Sequence, residues 1–258
     1  MPDQPPETLF TGRHHIRLEE VPSTNTFALD LVRSTPVTEG TVVSAQHQTA
    51  GRGQRGNDWQ SAPGENLTVS IVLRPVFLAP AAQFDLTRAV ALAVAETVEN
   101  ACKSAEVKIS VKWPNDIYIN QRKVAGILVE NILGNNRFVA AVTGIGLNVN
   151  QIQFGVLGNK ATSLRLVTGT QFDNDLLLGQ LCSYLEKYYL MLRAGKTDEL
   201  RTLYESKLYL RGTESGYSEK GLLFRGTLTG TSAEGLLQIT TAAGEERSFS
   251  FKEVVFEG

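Results

Sequence analysis

The sequence predicts an α+β fold: a mixed or antiparallel sheet flanked by helices, followed by a small β unit near the C-terminus. Three observations carry this. Four strand-like segments follow one another between residues 108 and 148 with only short turns between them, which is a meander and not an alternation of strands and helices. Long amphipathic stretches stand before and after that run. After Gly212 the texture changes to short apolar runs split by Gly230, Gly235 and Gly244.

The elements follow in order. Residues 1–8 read as a loose polar tail, and Ser23-Thr24-Asn25 supplies caps for a short helix reaching about Arg33. Residues 41–46 predict a strand. So does the segment from Leu67 to Leu73, with Leu67, Val69, Ile71 and Leu73 on one face. Residues 83–102 predict a long helix whose stripe is Leu86, Val90, Val94 and Val98, widened by Ala89 and Ala93. The meander strands are residues 108–113, 116–120, 123–131 and 137–148, with Asn120-Gln121-Arg122 as a hairpin turn. Leu177, Leu181, Tyr184, Tyr188 and Met191 mark a second long helix, and residues 198–210 a third. Residues 222–229, 236–241, 246–251 and 254–256 then predict a small β barrel or sandwich near the lower size limit for independent stability. The expected division is a tail at 1–8, a main domain at 9–211 and a β domain at 212–258.

Composition bounds the function. The chain has 258 residues, 42% hydrophobic and 20% charged, in the range of globular domains. Its net charge of −2 provides no global field for nucleic acid, so any affinity for phosphate is local. No apolar run is long enough for a membrane span, and the N-terminus lacks the basic and apolar regions of a signal peptide. The two cysteines, Cys102 and Cys182, fall in separate predicted helices and predict no disulfide framework. A cytoplasmic location without membrane partners is expected.

Four segments carry chemistry. Gly51-Arg52-Gly53-Gln54-Arg55-Gly56, with Trp59 three positions on, packs two guanidinium groups into a flexible turn, which suits closure over an anion. It matches a dinucleotide fingerprint formally, but Trp59 and Pro63-Gly64 follow where that motif needs a helix. Lys112-Trp113-Pro114-Asn115-Asp116 stands at a strand end. It reads either as a bulge with a packed tryptophan or as an edge where Lys112 neutralises phosphate and Asp116 holds a nucleotide amine, a ribose or Mg²⁺. In the segment from Arg122 to Glu130, Gly126 interrupts a strong apolar strand beside Lys123, which allows a ligand against the backbone. Gly144 and Gly146 clear one face of a strand beneath a flat ligand, with Asn148 on the same face.

These segments, in this order, resemble the biotin protein ligases, specifically the catalytic core of the bacterial BirA type. The family pattern runs Ser-Thr-Asn, then a glutamine before the Gly-Arg-Gly loop and its tryptophan, Lys-Trp-Pro-Asn-Asp, Lys-x-Ala-Gly-Ile-Leu-x-Glu and Gly-x-Gly-x-Asn. Here these are Ser23 to Asn25, Gln48 with Gly51 to Trp59, Lys112 to Asp116, Lys123 to Glu130 and Gly144 to Asn148. The later Ala161-Thr162-Ser163-Leu164 is also similar to the family. The likeness covers roughly residues 10–215, and the C-terminal unit fits the family's SH3-like barrel by position. At Gln54, where many members carry arginine, the loop has one charge fewer. Ser23 is reached after 22 residues, where some members carry a winged-helix DNA-binding domain, so no DNA partner or repressor role is expected.

The resemblance implies a fold of the biotin and lipoate ligase type, like that of class II aminoacyl-tRNA synthetases. It implies two half-reactions: biotin and ATP give biotinyl-5′-AMP, and biotin then passes to a lysine of a biotin carboxyl carrier protein. It assigns catalysis to Lys123, Lys112 and Arg52. It assigns biotin binding to Ser23, Thr24, Asn25, Gln48, Gly51, Arg52, Gly53, Gln54, Lys123, Gly126, Gly144 and Gly146. ATP and the adenylate fall to Arg55, Trp59, Lys112, Asn115, Asp116 and Asn148. Mg²⁺ is expected with ATP, with no ligands assigned, and a homodimer is possible. Residues 149–160 are expected to form a second loop whose Phe154, Val156 and Leu157 cover adenine. The alternatives are a lipoate or octanoate ligase and a non-catalytic biotin-binding module.

Overall fold

The structure, a computed structural model, describes residues 8–257, so the predicted tail lies almost wholly outside the described residues. A seven-stranded sheet forms the body. Its strands are β1 (His15–Val21), β2 (Val42–Gln48), β3 (Leu67–Leu73), β4 (Ile109–Lys112), β5 (Asp116–Ile119), β6 (Arg122–Gly134) and β7 (Arg137–Leu147), in the order β1-β2-β3-β7-β6-β5-β4. Only β1 and β2 run parallel, joined through helix α1 (Thr24–Ser34); every other neighbouring pair is antiparallel, so the sheet is mixed.

The two faces of the sheet are covered differently. Helices α2 (Gln83–Ala101), α4 (Asn174–Arg193) and α5 (Thr197–Ser206) belong to one face, where Ile71, Ile145 and Ile127 join the stripe Leu86, Val90 and Val94 in the main core. Helix α1 lies on the other face, packing Ala28 and Leu29 on Val43, Val72 and Val142. All seven residues of β3 are buried because the strand is central and covered on both sides. The apolar face expected of it meets the main core, while Thr68 and Ser70 point toward α1.

Strands β8 (Glu214–Glu219), β9 (Leu222–Thr231), β10 (Leu237–Thr241), β11 (Glu246–Phe249) and β12 (Val254–Glu257) make a second, antiparallel sheet in the order β11-β10-β9-β8-β12. The expected barrel is therefore barrel-like but not closed, since β11 and β12 are not paired with each other. Its inner residues Tyr217, Leu228, Ile239 and Phe249 join the same core as α2 and α5.

Three elements lacked a sequence signal. Strand β1 is an edge strand that exposes Arg17, Glu19 and Glu20, so it has little apolar alternation to read. Strand β8 is polar but for the buried Tyr217. Helix α3 (Leu164–Thr168) is a five-residue turn started by the Ser163 hydroxyl, which accepts from the Leu166 amide. The third long helix ends at Ser206, short of the expected Leu210, which has a left-handed φ of 62°. Among the described residues, no helix is long and apolar enough to cross a membrane.

Candidate active site

A cavity of about 480 Å³ opens on the sheet face shared with α1, beyond the N-terminus of that helix. Its floor is β6 and β7. The segment from Arg52 to Trp59 covers one side, the Lys112–Asp116 turn closes one end, and residues 251–256 of the second sheet form a further wall. The fold thus gathers Ser23, Thr24, Asn25, Gln48, Arg52, Gly53, Gln54, Trp59, Lys112, Asn115, Asp116, Lys123, Gly126, Gly144 and Gly146 around one space.

One end is a polar network built on α1. The Gln48 Oε1 accepts from the Thr24 amide at 2.8 Å and the Thr24 hydroxyl at 3.1 Å. Ser70, fully buried on β3, donates to Asn25 Oδ1 at 2.7 Å, and its oxygen lies 2.8 Å from the Thr24 hydroxyl. Asn25 Nδ2 donates to Glu130 Oε2 at 2.8 Å, and Arg52 reaches the other oxygen of Glu130 at 2.7 Å and the Thr26 hydroxyl at 3.1 Å. These polar groups are held in fixed directions before any ligand enters, which lowers the cost of binding.

The glycines take on a more specific meaning in three dimensions. A Cβ on Gly144 would collide with the Asn25 amide, and one on Gly146 with the Trp59 indole. Gly126 and Gly146 are paired in register, and the ring of Trp59 also lies against Gly126. The patch that the sequence clears for a flat ligand is occupied, at least in part, by the protein's own Asn25 and Trp59. Trp59 Nε1 and Gln54 Oε1 are both buried without a hydrogen-bond partner among the described residues.

The other end is cationic. Lys123 Nζ lies 2.7 Å from Asp116 Oδ1 and 5.8 Å from the centre of the Trp59 ring. Lys112 is cross-strand partner to Asp116, and its ammonium stands 5.3 Å and 5.2 Å from the ring centres of Tyr118 and Phe256. Burial pushes the Lys112 pKa below the ordinary lysine range; the Lys123 charge adds to this and Asp116 opposes it. The Trp113–Pro114 peptide is cis.

Some of the expected residues also bond to the scaffold, and others stand away from the cavity. Asn115 donates its amide to the Ile127 carbonyl at 2.5 Å and accepts the Ile127 N–H on its backbone oxygen at 3.0 Å, stitching the turn to β6. Asn148 does not line the cavity. Its side chain donates to the Thr162 carbonyl at 3.0 Å, while the Thr162 N–H reaches the Lys123 carbonyl at 2.9 Å, so the Ala161–Leu164 segment buttresses the Lys123 backbone. Gly51 lies under the Trp59 carbonyl, outside the lining residues. The side chains of Arg55 and Val156 lie outside the described residues. Phe154 and Leu157 are not at the cavity either, and Leu157 is exposed. The apolar wall comes instead from Phe251, Val254, Val255 and Phe256, which sequence reasoning missed because such residues in a short strand read as core. Lys252, beside them at a left-handed φ of 73°, is also new to the site.

Metal ligation fits this site only in part. Among the described residues no three His, Cys, Asp or Glu side chains cluster to hold an ion. The cavity is lined by the carboxylates of Asp58 and Asp116; Asp116 is paired with Lys123, and Glu130, just outside the lining, with Arg52. A divalent ion suits the site as the companion of a polyphosphate, not as a caged protein metal.

A family model described as the biotin/lipoate A/B protein ligase family matches residues 18–148, half of the chain. The chain belongs to this family. Its ligase relatives include the bifunctional ligase/repressor BirA of Bacillus spizizenii, 34% identical over 204 residues, which cover 78% of this chain and 61% of that protein. The biotin–[acetyl-CoA-carboxylase] ligase of Paracoccus denitrificans is 40% identical over 133 residues, 51% of this chain and 53% of that one. The chain thus spans about six-tenths or less of these relatives. The biotin protein ligase of Aquifex aeolicus, solved in complex with biotin and ATP, superposes with a TM-score of 0.78 at 29% identity, covering 95% of this chain and 99% of that chain.

Proposed function

We propose that this chain is an ATP-dependent biotin–protein ligase. A biotin carboxylate oxygen attacks the α-phosphorus of ATP and pyrophosphate leaves, giving biotinyl-5′-AMP. A lysine amine of a biotin carboxyl carrier domain then attacks the acyl carbon and AMP leaves. The observation that carries this reading is the single cavity with two unlike ends: a prearranged polar network at Thr24, Asn25 and Gln48, and a cationic end at Lys112 and Lys123.

The reaction needs no protein nucleophile. It needs two anions brought together, charge on the phosphoryl oxygens balanced, and water kept from the anhydride. Lys123 and Arg52 are held by Asp116 and Glu130, and meet the carboxylate and phosphate by exchanging or sharing those partners. Lys112 is held by burial beside aromatic rings, where its charge is less screened. Ser23, Thr24, Asn25 and Gln48 suit the ureido ring, and Gly53 and Gln54 extend that side of the pocket. Trp59, Asn115 and Asp116 border the nucleotide end, with Phe251 and Phe256 opposite. Mg²⁺ accompanies ATP and supplies charge neutralisation there.

An acyl transferase with a cysteine nucleophile does not fit. Cys102 and Cys182 are buried away from this cavity, and burial pushes their thiols up to about 11 and about 12. A cytoplasmic location and a carboxylase carrier as partner follow from the ligase reading. A homodimer made by edge pairing would use β1, an outer strand of the large sheet, because the outer edge of β4 already pairs with Leu208 through the Val111 N–H and carbonyl. The decisive experiment is pyrophosphate release from ATP with biotin, lipoate or octanoate as the acid. Release with biotin alone supports the proposal, release with lipoate or octanoate replaces it with the sister activity, and no release with any acid leaves a binding module.

A further inference from the structure

Arg88 on α2 lies outside the cavity and is 1% exposed, among the largest fully buried side chains of the protein. Burying an ion pair typically stabilises a fold no more than apolar residues of the same volume would, so such a group is better explained by what it fixes in place. Its guanidinium donates to Asp85 Oδ1 at 2.5 Å on its own helix. The remaining bonds go to the second sheet: the Thr231 hydroxyl at 3.0 Å, the Ser232 carbonyl at 2.5 Å and the Ala233 carbonyl at 3.3 Å. One planar fork thus holds three consecutive residues at the turn from β9 to β10.

From that turn the contacts lead to the cavity. Gly235, two residues on, accepts a hydrogen bond on its carbonyl from Trp113 Nε1 at 3.0 Å. Phe84 lies under the Arg88 guanidinium, 4.7 Å from it, and fills the space where a Gly235 side chain would stand. Tyr204 packs edge-on against Phe84 and donates its hydroxyl to the Pro114 carbonyl at 2.9 Å. Trp113 in turn meets Phe251 edge-on at 6.0 Å, and both line the cavity next to Lys112. The polar network at Thr24, Asn25 and Gln48 shares none of these bonds.

We infer that Arg88 is a positioning residue for the ATP half-reaction: it sets the second sheet at the depth where Trp113, Phe251 and Phe256 wall the nucleotide end and hold Lys112. The inference rests on the ligase reading above. The test uses Arg88→Met combined with Asp85→Asn, so that no lone charge stays buried, together with Arg88→Lys and Trp113→Phe. In the double variant the KM for ATP should rise about tenfold or more while the calorimetric Kd for biotin stays within about twofold. Arg88→Lys should fall between the double variant and the unmodified protein, since an ammonium keeps the charge without the fork. Trp113→Phe keeps a ring but loses the bond to Gly235, and should move the KM for ATP the same way even if the double variant does not fold. An unchanged KM for ATP in Trp113→Phe or in a folded double variant overturns the inference. So does a parallel loss of biotin and ATP affinity, which marks a general packing role. If the unmodified chain releases no pyrophosphate, the ligase reading itself has failed, and this inference with it.

Discussion

At the scale of single residues, the two lysines of the cavity are held by different physics, and the difference is measurable. Lys123 is paired with Asp116 at 2.7 Å and about one-third exposed. If it balances charge as carboxylate and α-phosphate approach, Lys123→Ala should slow single-turnover adenylation by ~10², about 3 kcal/mol, with a much smaller effect on biotin affinity. An unchanged rate removes it from the mechanism. Lys112 is governed by burial, which lowers its pKa. The sign has two consequences. An unfolded chain keeps that proton at pH values where the folded one has released it, so between the lowered pKa and the ordinary lysine range stability gains with rising pH through this group. Activity that needs the ammonium falls over the same window. The alkaline limb of the adenylation profile should therefore lie below the usual lysine range and move upward in Lys112→Arg, because guanidinium does not titrate there. A limb at the same pH in both proteins would assign it to another group.

At the scale of elements, the paired strands β6 and β7 and the segment above them act together. Gly126 and Gly146 face each other in the ladder, and the Trp59 indole rests on both. Adding a methyl at Gly146 should expel that ring. The protein has two tryptophans, and Trp113 is buried, so Gly146→Ala should red-shift the emission through Trp59. An unchanged emission maximum would mean that the indole finds room without leaving. The segment carrying Trp59 is held mostly by short-range bonds, Gly53 N–H to Asn57 O at 2.6 Å and Trp59 N–H to Gly51 O at 2.9 Å, and by the Arg52–Glu130 pair. Such a segment opens locally at low cost. Biotin with ATP should slow hydrogen exchange in residues 48–59 and leave 149–160 unchanged, because no described residue of the second segment lines the cavity. Equal protection of residues 48–59 with and without ligands would show a preformed cover and end the water-exclusion argument for it.

At the scale of the whole molecule, the two sheets share one core. Tyr217, Leu228, Ile239 and Phe249 are buried in the same cluster as Ile71, Leu86 and Tyr204, and the Arg88 fork ties α2 to the β9–β10 turn. The protein should therefore unfold in urea as one unit, with tryptophan fluorescence and far-ultraviolet circular dichroism giving coincident transitions. Two separated transitions would mean that the second sheet is an independent domain and that the shared core is too weak to couple it. Coupling of this kind also has a use: the walls of the cavity's cationic end come from both sheets, so a loose second sheet would leave that end unformed.

By itself the sequence determined the elements whose own residues state their period or their break. Helix α2 shows its stripe at Leu86, Val90 and Val94, the meander shows its strands, and the order of motifs from Ser23 to Asn148 announces the family and most of the cavity's residues. The tertiary structure decided what those residues touch. Asn115 and Asn148 look alike in one dimension, yet Asn115 lines the cavity while also donating an amide N–H to the Ile127 carbonyl, and Asn148 lies off the lining and donates to the Thr162 carbonyl. Gly144 and Gly146 look like a platform but receive Asn25 and Trp59. Arg88 carried no motif, and Phe251 and Phe256 read only as core, yet these residues tie and form a wall of the site. The physical reason is that periodicity and turn chemistry are local, whereas a buried donor or an apolar wall is matched by whatever segment folding brings beside it, here from more than a hundred residues away in sequence for Arg88 and Thr231.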